Sequence, residues 1–185
     1  MWSFALISVA LLFSNVSGAI IAREAASSQV CEGQVTLSEY YIGEDKNVKV
    51  QHATCPEQAS KVSTLVGRQI QNVCGNTCAT SCFTPSGGGP NTGDCHVIAD
   101  ALRYNSQNIG AIFPVGTGTN NTVVMQYASC LSFFVNQETV PIEYCRTDWA
   151  ALIDWIGPNC ASAQNAHGGL CVATNQQWFA QVQHA

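Results

Sequence analysis

Hydrophobic positions along this chain recur with two different periods, and the changes of period mark where elements are expected to begin and end. The clearest helical pattern lies between Cys145 and Cys160, where Trp149, Leu152, Ile153 and Ile156 fall at i, i+3, i+4 and i+7 and line one face. Thr147 is placed to cap that helix with its hydroxyl, Asp148 suits the positive end of its dipole, and Gly157-Pro158 is expected to stop it. The flanking cysteines are expected to staple both ends. After a glycine turn at His167-Gly168-Gly169 and an apolar run around Cys171, the period drops to two. There Trp178, Ala180 and Val182 share one side of a predicted closing strand. A second helix is predicted from Pro56, with Ala59, Val62, Val66, Ile70 and Val73 stepping by three or four between Cys55 and Cys74. A third is expected after a cap at Thr92 or Asp94, with Val97, Ile98, Ala101 and Leu102 inside, fading at Asn105.

Alternation elsewhere predicts strands. Val35, Leu37 and Tyr41, then Val48 and Val50, flank the turn residues Gly43-Glu44-Asp45. Ile109 to Val115 reads as a strand whose Pro114 belongs at an edge or bend, and Thr122 to Tyr127 and Leu131 to Val135 follow it. Cys78 to Asn91 reads as a loop. Its glycine run is followed by no Gly-Lys-Ser/Thr and preceded by no strand, so it is not a phosphate loop. These elements predict an α/β chain folded as a single-domain αβα sandwich, with a small sheet of about four strands covered by helices on both faces. Trp149 and Trp155 are expected in its core.

Composition adds a compartment. Phe4 to Phe13 followed by Ser17-Gly18-Ala19 has the form of a signal peptide over residues 1–19, ahead of a disordered lead at 20–30 and one domain at 31–185. No later stretch is long and apolar enough for a membrane span. The domain holds 10 cysteines, Cys31, Cys55, Cys74, Cys78, Cys82, Cys95, Cys130, Cys145, Cys160 and Cys171. An even count behind a secretory leader implies disulfides, although ten cysteines allow roughly 945 pairings. Cys74, Cys78 and Cys82 lack the second ligand pair of a zinc site and are expected to be oxidised, so no metal or cofactor is expected. Charged residues are 10% of the chain, against about 25% in an average domain. A net charge of −5 with no basic cluster argues against nucleic acid as a partner. An amide-rich surface suits hydroxyl-bearing partners instead, because an amide both donates and accepts.

Candidate chemistry is sparse. His167 sits in the glycine turn, and loop positions carry function disproportionately often. His96 follows Asp94-Cys95, while His52 and His184 have no motif around them. Glu138, Glu143, Asp148 and Asp154 are the nearest carboxylates in sequence, but each has a simpler duty than flanking a glycosidic bond. No nucleophile signature appears. A sugar site needs an aromatic face and planar polar groups, which Asn175, Gln176, Gln177 and Trp178 supply together, as does Tyr40-Tyr41. The expectation is that the His167 turn and the 175–178 run lie together as a shallow glycan site. Asn120-Asn121-Thr122 is an N-glycosylation acceptor at Asn120.

Several phrases carry a family likeness: Asp94-Cys95-His96-Val97-Ile98-Ala99 with the preceding Gly89-Pro90, Gly116-Thr117-Gly118-Thr119-Asn120-Asn121, Phe133-Phe134-Val135-Asn136-Gln137, Tyr144-Cys145-Arg146-Thr147-Asp148-Trp149, and Asn165-Ala166-His167-Gly168-Gly169. They resemble a group of small secreted proteins of mushroom-forming fungi typified by the Y-three-like glycan-binding domain. That resemblance spans about Cys31 to Gln183. It implies an αβα sandwich, recognition of glycans or glycoproteins carrying N-acetylhexosamine and fucose, and allows a homodimer. The expected function is carbohydrate binding, lectin-like and without catalysis, by a secreted glycoprotein. The alternatives are a cysteine-rich toxin or effector acting on another cell, and a small hydrolase of cell-wall polysaccharide.

Overall fold

The computed structural model describes residues 29–55, 69–85 and 87–185. The expected signal peptide at 1–19, most of the lead, and the predicted helix from Pro56 as far as residue 68 lie outside the described residues. The predicted hairpin is present as β1 (Val35–Ile42) and β2 (Val48–Thr54), with the 43–46 turn between them. Where the predicted helix was expected to run on to Val73, the chain is extended, as β3 (Gln71–Asn72). β4 (Cys78–Cys82) lies inside the stretch expected to be a loop. Helix α1 (Thr92–Asn108) follows, then β5 (Ile112–Val115), β6 (Thr122–Tyr127), β7 (Cys130–Asn136), β8 (Ile142–Cys145), helix α2 (Arg146–Asn159), β9 (Gly168–Ala173) and β10 (Trp178–His184).

The expected αβα sandwich is not what these elements build. Seven strands form one antiparallel sheet in the order β1-β2-β6-β7-β10-β9-β4, and three more form a second sheet in the order β3-β8-β5. The protein is mostly β, and only two helices occur among the described residues. Both pack on the same face of the large sheet, together with the small sheet, around a shared core. Local periodicity located most strands, but which strand pairs with which is set by contacts far apart in sequence. Ile112–Val115 is therefore an edge strand, as Pro114 requires, yet of the small sheet.

β7 explains the sheet's depth. Cys130, Ser132, Phe134 and Asn136 point to the helix side, while Leu131, Phe133 and Val135 point to the other, and all seven residues are buried. Burial of every residue, Ser132 and Asn136 included, belongs to a central strand covered on both faces. On the helix side five rings interlock. Phe134 stacks on Tyr144 at 4.6 Å and on Trp178 at 5.2 Å, and meets Trp149 at 5.7 Å and Phe113 at 6.1 Å. The Trp149 indole N–H is satisfied by Ser132 Oγ at 2.9 Å. Trp155, expected in the core, is 47% exposed, because it falls outside the stripe of α2 that Trp149, Ile153 and Ile156 define.

The helix ends differ from expectation in detail. α1 is capped by Asn91, whose Oδ1 accepts from the Gly93 N–H at 2.7 Å. Asp94 instead accepts from Ser129 N and Oγ at 3.0 and 2.6 Å, tying the β6–β7 turn to the helix start. α2 continues through Gly157-Pro158 to Asn159, its proline falling in the last turn, and the Asp148 carboxylate accepts from the Gly75 N–H at 2.7 Å. All ten cysteines pair, as Cys31–Cys55, Cys74–Cys145, Cys78–Cys171, Cys82–Cys160 and Cys95–Cys130. As expected, Cys145 and Cys160 staple the two ends of α2. Bonds of this kind persist in oxidising compartments. Among the described residues no helix is long and apolar enough to cross a membrane.

Candidate functional site

The two halves of the expected glycan site lie at opposite ends of one hairpin. β9 and β10 pair with Gly168 opposite Gln183 and Val172 opposite Phe179, so His167 sits at one end and the 174–177 turn at the other. Six residues of strand separate them, roughly 20 Å. Trp178 is fully buried against Phe134 and presents no face to a ligand. Asn175 and Gln177 are held within the turn: Asn175 Nδ2 donates to Gln177 Oε1 at 2.6 Å, and Gln177 Nε2 donates to Gln71 Oε1 at 3.0 Å. Gln176 is left exposed at the tip. His167 is exposed and stacks on Phe83 at 5.3 Å. The glycines after it answer to packing. A Cβ on Gly168 would meet Val182 O at 2.1 Å, and one on Gly169 would meet Cys160 Sγ and Ser81 O at 2.7 Å.

A second grouping, which sequence reading left as separate surface residues, lies between the helices. His96 on α1 places Nδ1 at 2.8 Å from Asp154 Oδ1 on α2 and Nε2 at 3.3 Å from Asp100 Oδ2. Arg103 donates to Asp100 at 3.0 Å and also to Asp154. Beside them is a groove of about 410 Å³ lined by Thr92, Gly93, His96, Ile153, Asp154 and Pro158. The hydrogen bond to Asp154 raises the His96 pKa above 6.5. Burial pushes Asp154 up, but hydrogen bonds from His96 and Arg103 outweigh it and leave its pKa low. With each ring nitrogen facing a carboxylate, the protonated imidazole is a donor to both and has no nitrogen left to act as a base. The cluster therefore works as an ion network between helices.

Its pH dependence follows from the sign of the shift. A histidine whose pKa rises on folding contributes stability that is fully present below its unfolded value and is lost as pH rises through the folded value. His96→Gln should therefore lower the melting temperature at about pH 5–6 and have little effect by about pH 8, with a loss no greater than the ~1 kcal/mol of exposed ion pairs. Parallel melting curves for the variant and wild type across that range would contradict the assignment.

The third surface is the outer edge of the large sheet. Among the described residues β1 has no strand on its far side, and both Tyr40 and Tyr41 remain open, at 46% and 53% exposure. Adjacent residues of a strand point to opposite faces, so the two rings flank the edge. Tyr41 stands over the face where Gln51 Nε2 donates to Glu39 Oε2 at 2.9 Å, with Lys49 directly opposite it. Tyr40 stacks against His52 at 6.0 Å on the helix face. Burial lowers the His52 pKa, which favours the neutral ring. Asn120 is exposed at the end of the short turn before β6, open to modification. Cys74, Cys145 and Asp148 converge as metal ligands would, but the two sulfurs are bonded to each other and Asp148 already accepts from Gly75.

No family model matches the chain, and no curated protein matches it either.

Proposed function

We propose that this chain is a secreted carbohydrate-binding protein that recognises glycans without turning them over, using the tyrosine-bearing edge formed by β1 and β2. The observation that carries the reading is the exposed Tyr40-Tyr41 pair with planar polar groups beside each ring. A sugar lays its C–H face on an aromatic ring and offers hydroxyls to amides and carboxylates, which is the chemistry available at Tyr41, Gln51 and Glu39. The five disulfides and the scarcity of charge fit an extracellular life. Trp155 is an exposed ring as well, but it stands on α2 and not on the β1–β2 edge, which makes it a suitable control.

The test is a glycan array probed with the folded, oxidised protein. Selective binding to one group of glycans, competed by the free sugar, is expected. Tyr41→Ala should weaken it by about tenfold, equivalent to about 1.4 kcal/mol, and Trp155→Ala should leave it unchanged. A blank array from folded protein would end the carbohydrate reading and favour the toxin or hydrolase alternatives.

A further inference from the structure

Ile109, where α1 ends, is the most exposed large hydrophobic side chain among the described residues, at 73%. Ile112 is 41% exposed, and the chain is open without a break from Gln107 to Ile112. The Gly110 N–H returns to Asn105 O at 3.2 Å, which folds this corner back against the last turns of α1, where Tyr104 is also exposed. From Tyr104 to Gln137 the chain holds no Asp, Glu, Lys, Arg or His. The main chain of the corner is paired from within. The Ile109 N–H donates to the same Asn105 carbonyl at 2.9 Å. Arg146, the first residue of α2, occupies three successive carbonyls: Nη1 donates to Gly110 O at 2.7 Å and to Ile112 O, and the backbone N–H donates to Ala111 O at 2.9 Å. Arg146 is in no ion pair among the described residues, so the corner has a cation at its base. The neighbouring acids are turned elsewhere. Asp148 accepts from the Gly75 N–H, and Glu143 lies opposite Pro114, farther along β5.

We propose that residues 109–112 are an anchor that enters the headgroup region of a phospholipid bilayer, with Ile109 and Ile112 inserted and Arg146 at the level of the phosphates. Apolar side chains gain by leaving water in any interface, but main-chain groups that lose water unpaired are costly. A protein partner could supply hydrogen bonds of its own to such groups, whereas lipid tails cannot. Backbone that enters lipid must therefore be paired internally, as the carbonyls from Gly110 to Ile112 already are. No charged side chain of the corner itself has to be dehydrated. Tyrosine belongs at the membrane–water boundary, and a guanidinium matches a phosphate. Shallow insertion of this kind needs no spanning helix. A net charge of −5 opposes anionic lipid, so a zwitterionic bilayer is the expected host. The inference does not depend on the carbohydrate reading.

The experiment is flotation of the oxidised wild-type protein with glycan-free phosphatidylcholine vesicles. The protein is expected to float with the vesicles in proportion to lipid concentration. Ile109→Ser should lower the partition coefficient about tenfold, and Ile109→Trp should raise it, because indole favours the interface. Both changes fall on an exposed side chain, so melting should be unaltered. Trp155→Ser, at an exposed ring on α2, should float as the wild type does. Wild-type protein that stays in the aqueous fraction overturns the proposal, as does Ile109→Ser floating undiminished. Flotation that requires glycolipid in the vesicles assigns binding to a sugar site and overturns it too. If lipid-free protein sediments as a dimer that Ile109→Ser splits, the corner is a contact between two copies and the bilayer anchor falls. A blank glycan array alongside flotation with plain lipid would remove the carbohydrate reading and leave this one standing.

Discussion

Phe134→Ala is expected to destabilise the fold by about 3–5 kcal/mol, the range for removing a large aromatic from a packed core. Phe134 is fully buried at the crossing of both sheets and α2, with Phe113, Tyr144, Trp149 and Trp178 around it. Deleting the ring removes its transfer energy and also leaves four rings facing a void that their own rigidity prevents them from filling. Disulfides cannot offset this, since they act mainly on the unfolded chain. Denaturant unfolding under oxidising conditions would measure the loss, and Phe134→Leu should retain part of it by filling some of the space. A cost under about 1.5 kcal/mol, typical of a volume-conserving swap, would mean the ring cluster is not the keystone.

Gly168→Ala is expected to be comparably damaging for a different reason. Gly168 has φ of +121°, a conformation that side-chain-bearing residues rarely adopt, and the new Cβ would sit 2.1 Å from Val182 O. The backbone strain of ~1–3 kcal/mol adds to an overpacking cost of ~1–3 kcal/mol, a total of about 2–6 kcal/mol. The obstructing atom belongs to the main chain of β10, which is hydrogen-bonded on both sides, to β7 and β9, so it cannot step aside. Relief would require opening the end of the β9–β10 pairing. Hydrogen exchange should show faster exchange at Gln181 and Gln183 in the variant than in the wild type. Unchanged melting and unchanged exchange would show that the strand shifts at no cost.

Much of the local structure was legible. The β1–β2 turn announced itself by Gly43-Glu44-Asp45, β10 by the alternation of Trp178, Ala180 and Val182, and both helices by their three-and-four spacing. β4 was not, because Cys78-Ala79-Thr80-Ser81-Cys82 carries almost no apolar signal. Its place comes from main-chain pairing with β9 and from disulfides at both its ends. The layer arrangement was misjudged because periodicity reports which side of an element is buried and not which element buries it. Trp155 shows the opposite case. Helical spacing already excluded it from the stripe of Trp149, Ile153 and Ile156, and its aromatic character wrongly outweighed its angle. For the candidate site, Tyr40-Tyr41 was visible as an aromatic pair, but its exposure depends on β1 being the outermost of the described strands, a property of the whole sheet.

The nesting of the cross-links determines what happens to a chain that has been cut. Cys74–Cys145 and Cys78–Cys171 overlap, so every peptide bond between Cys74 and Cys171 lies inside at least one closed ring. A protease that severs the glycine run at 87–89 breaks the backbone and releases nothing. The pieces stay tethered through Cys74–Cys145, Cys78–Cys171 and Cys82–Cys160, and the nicked molecule keeps its shape until a reductant reaches it. The β1–β2 hairpin is wired separately, by Cys31–Cys55 alone. A cut between Cys55 and Cys74 leaves the tyrosine-bearing edge attached to the body by noncovalent contacts only. Pairing of β2 with β6 and the burial of Val48 and Val50 then hold that edge in place, so such a cut stays silent until denaturant opens the sheet and frees the hairpin piece.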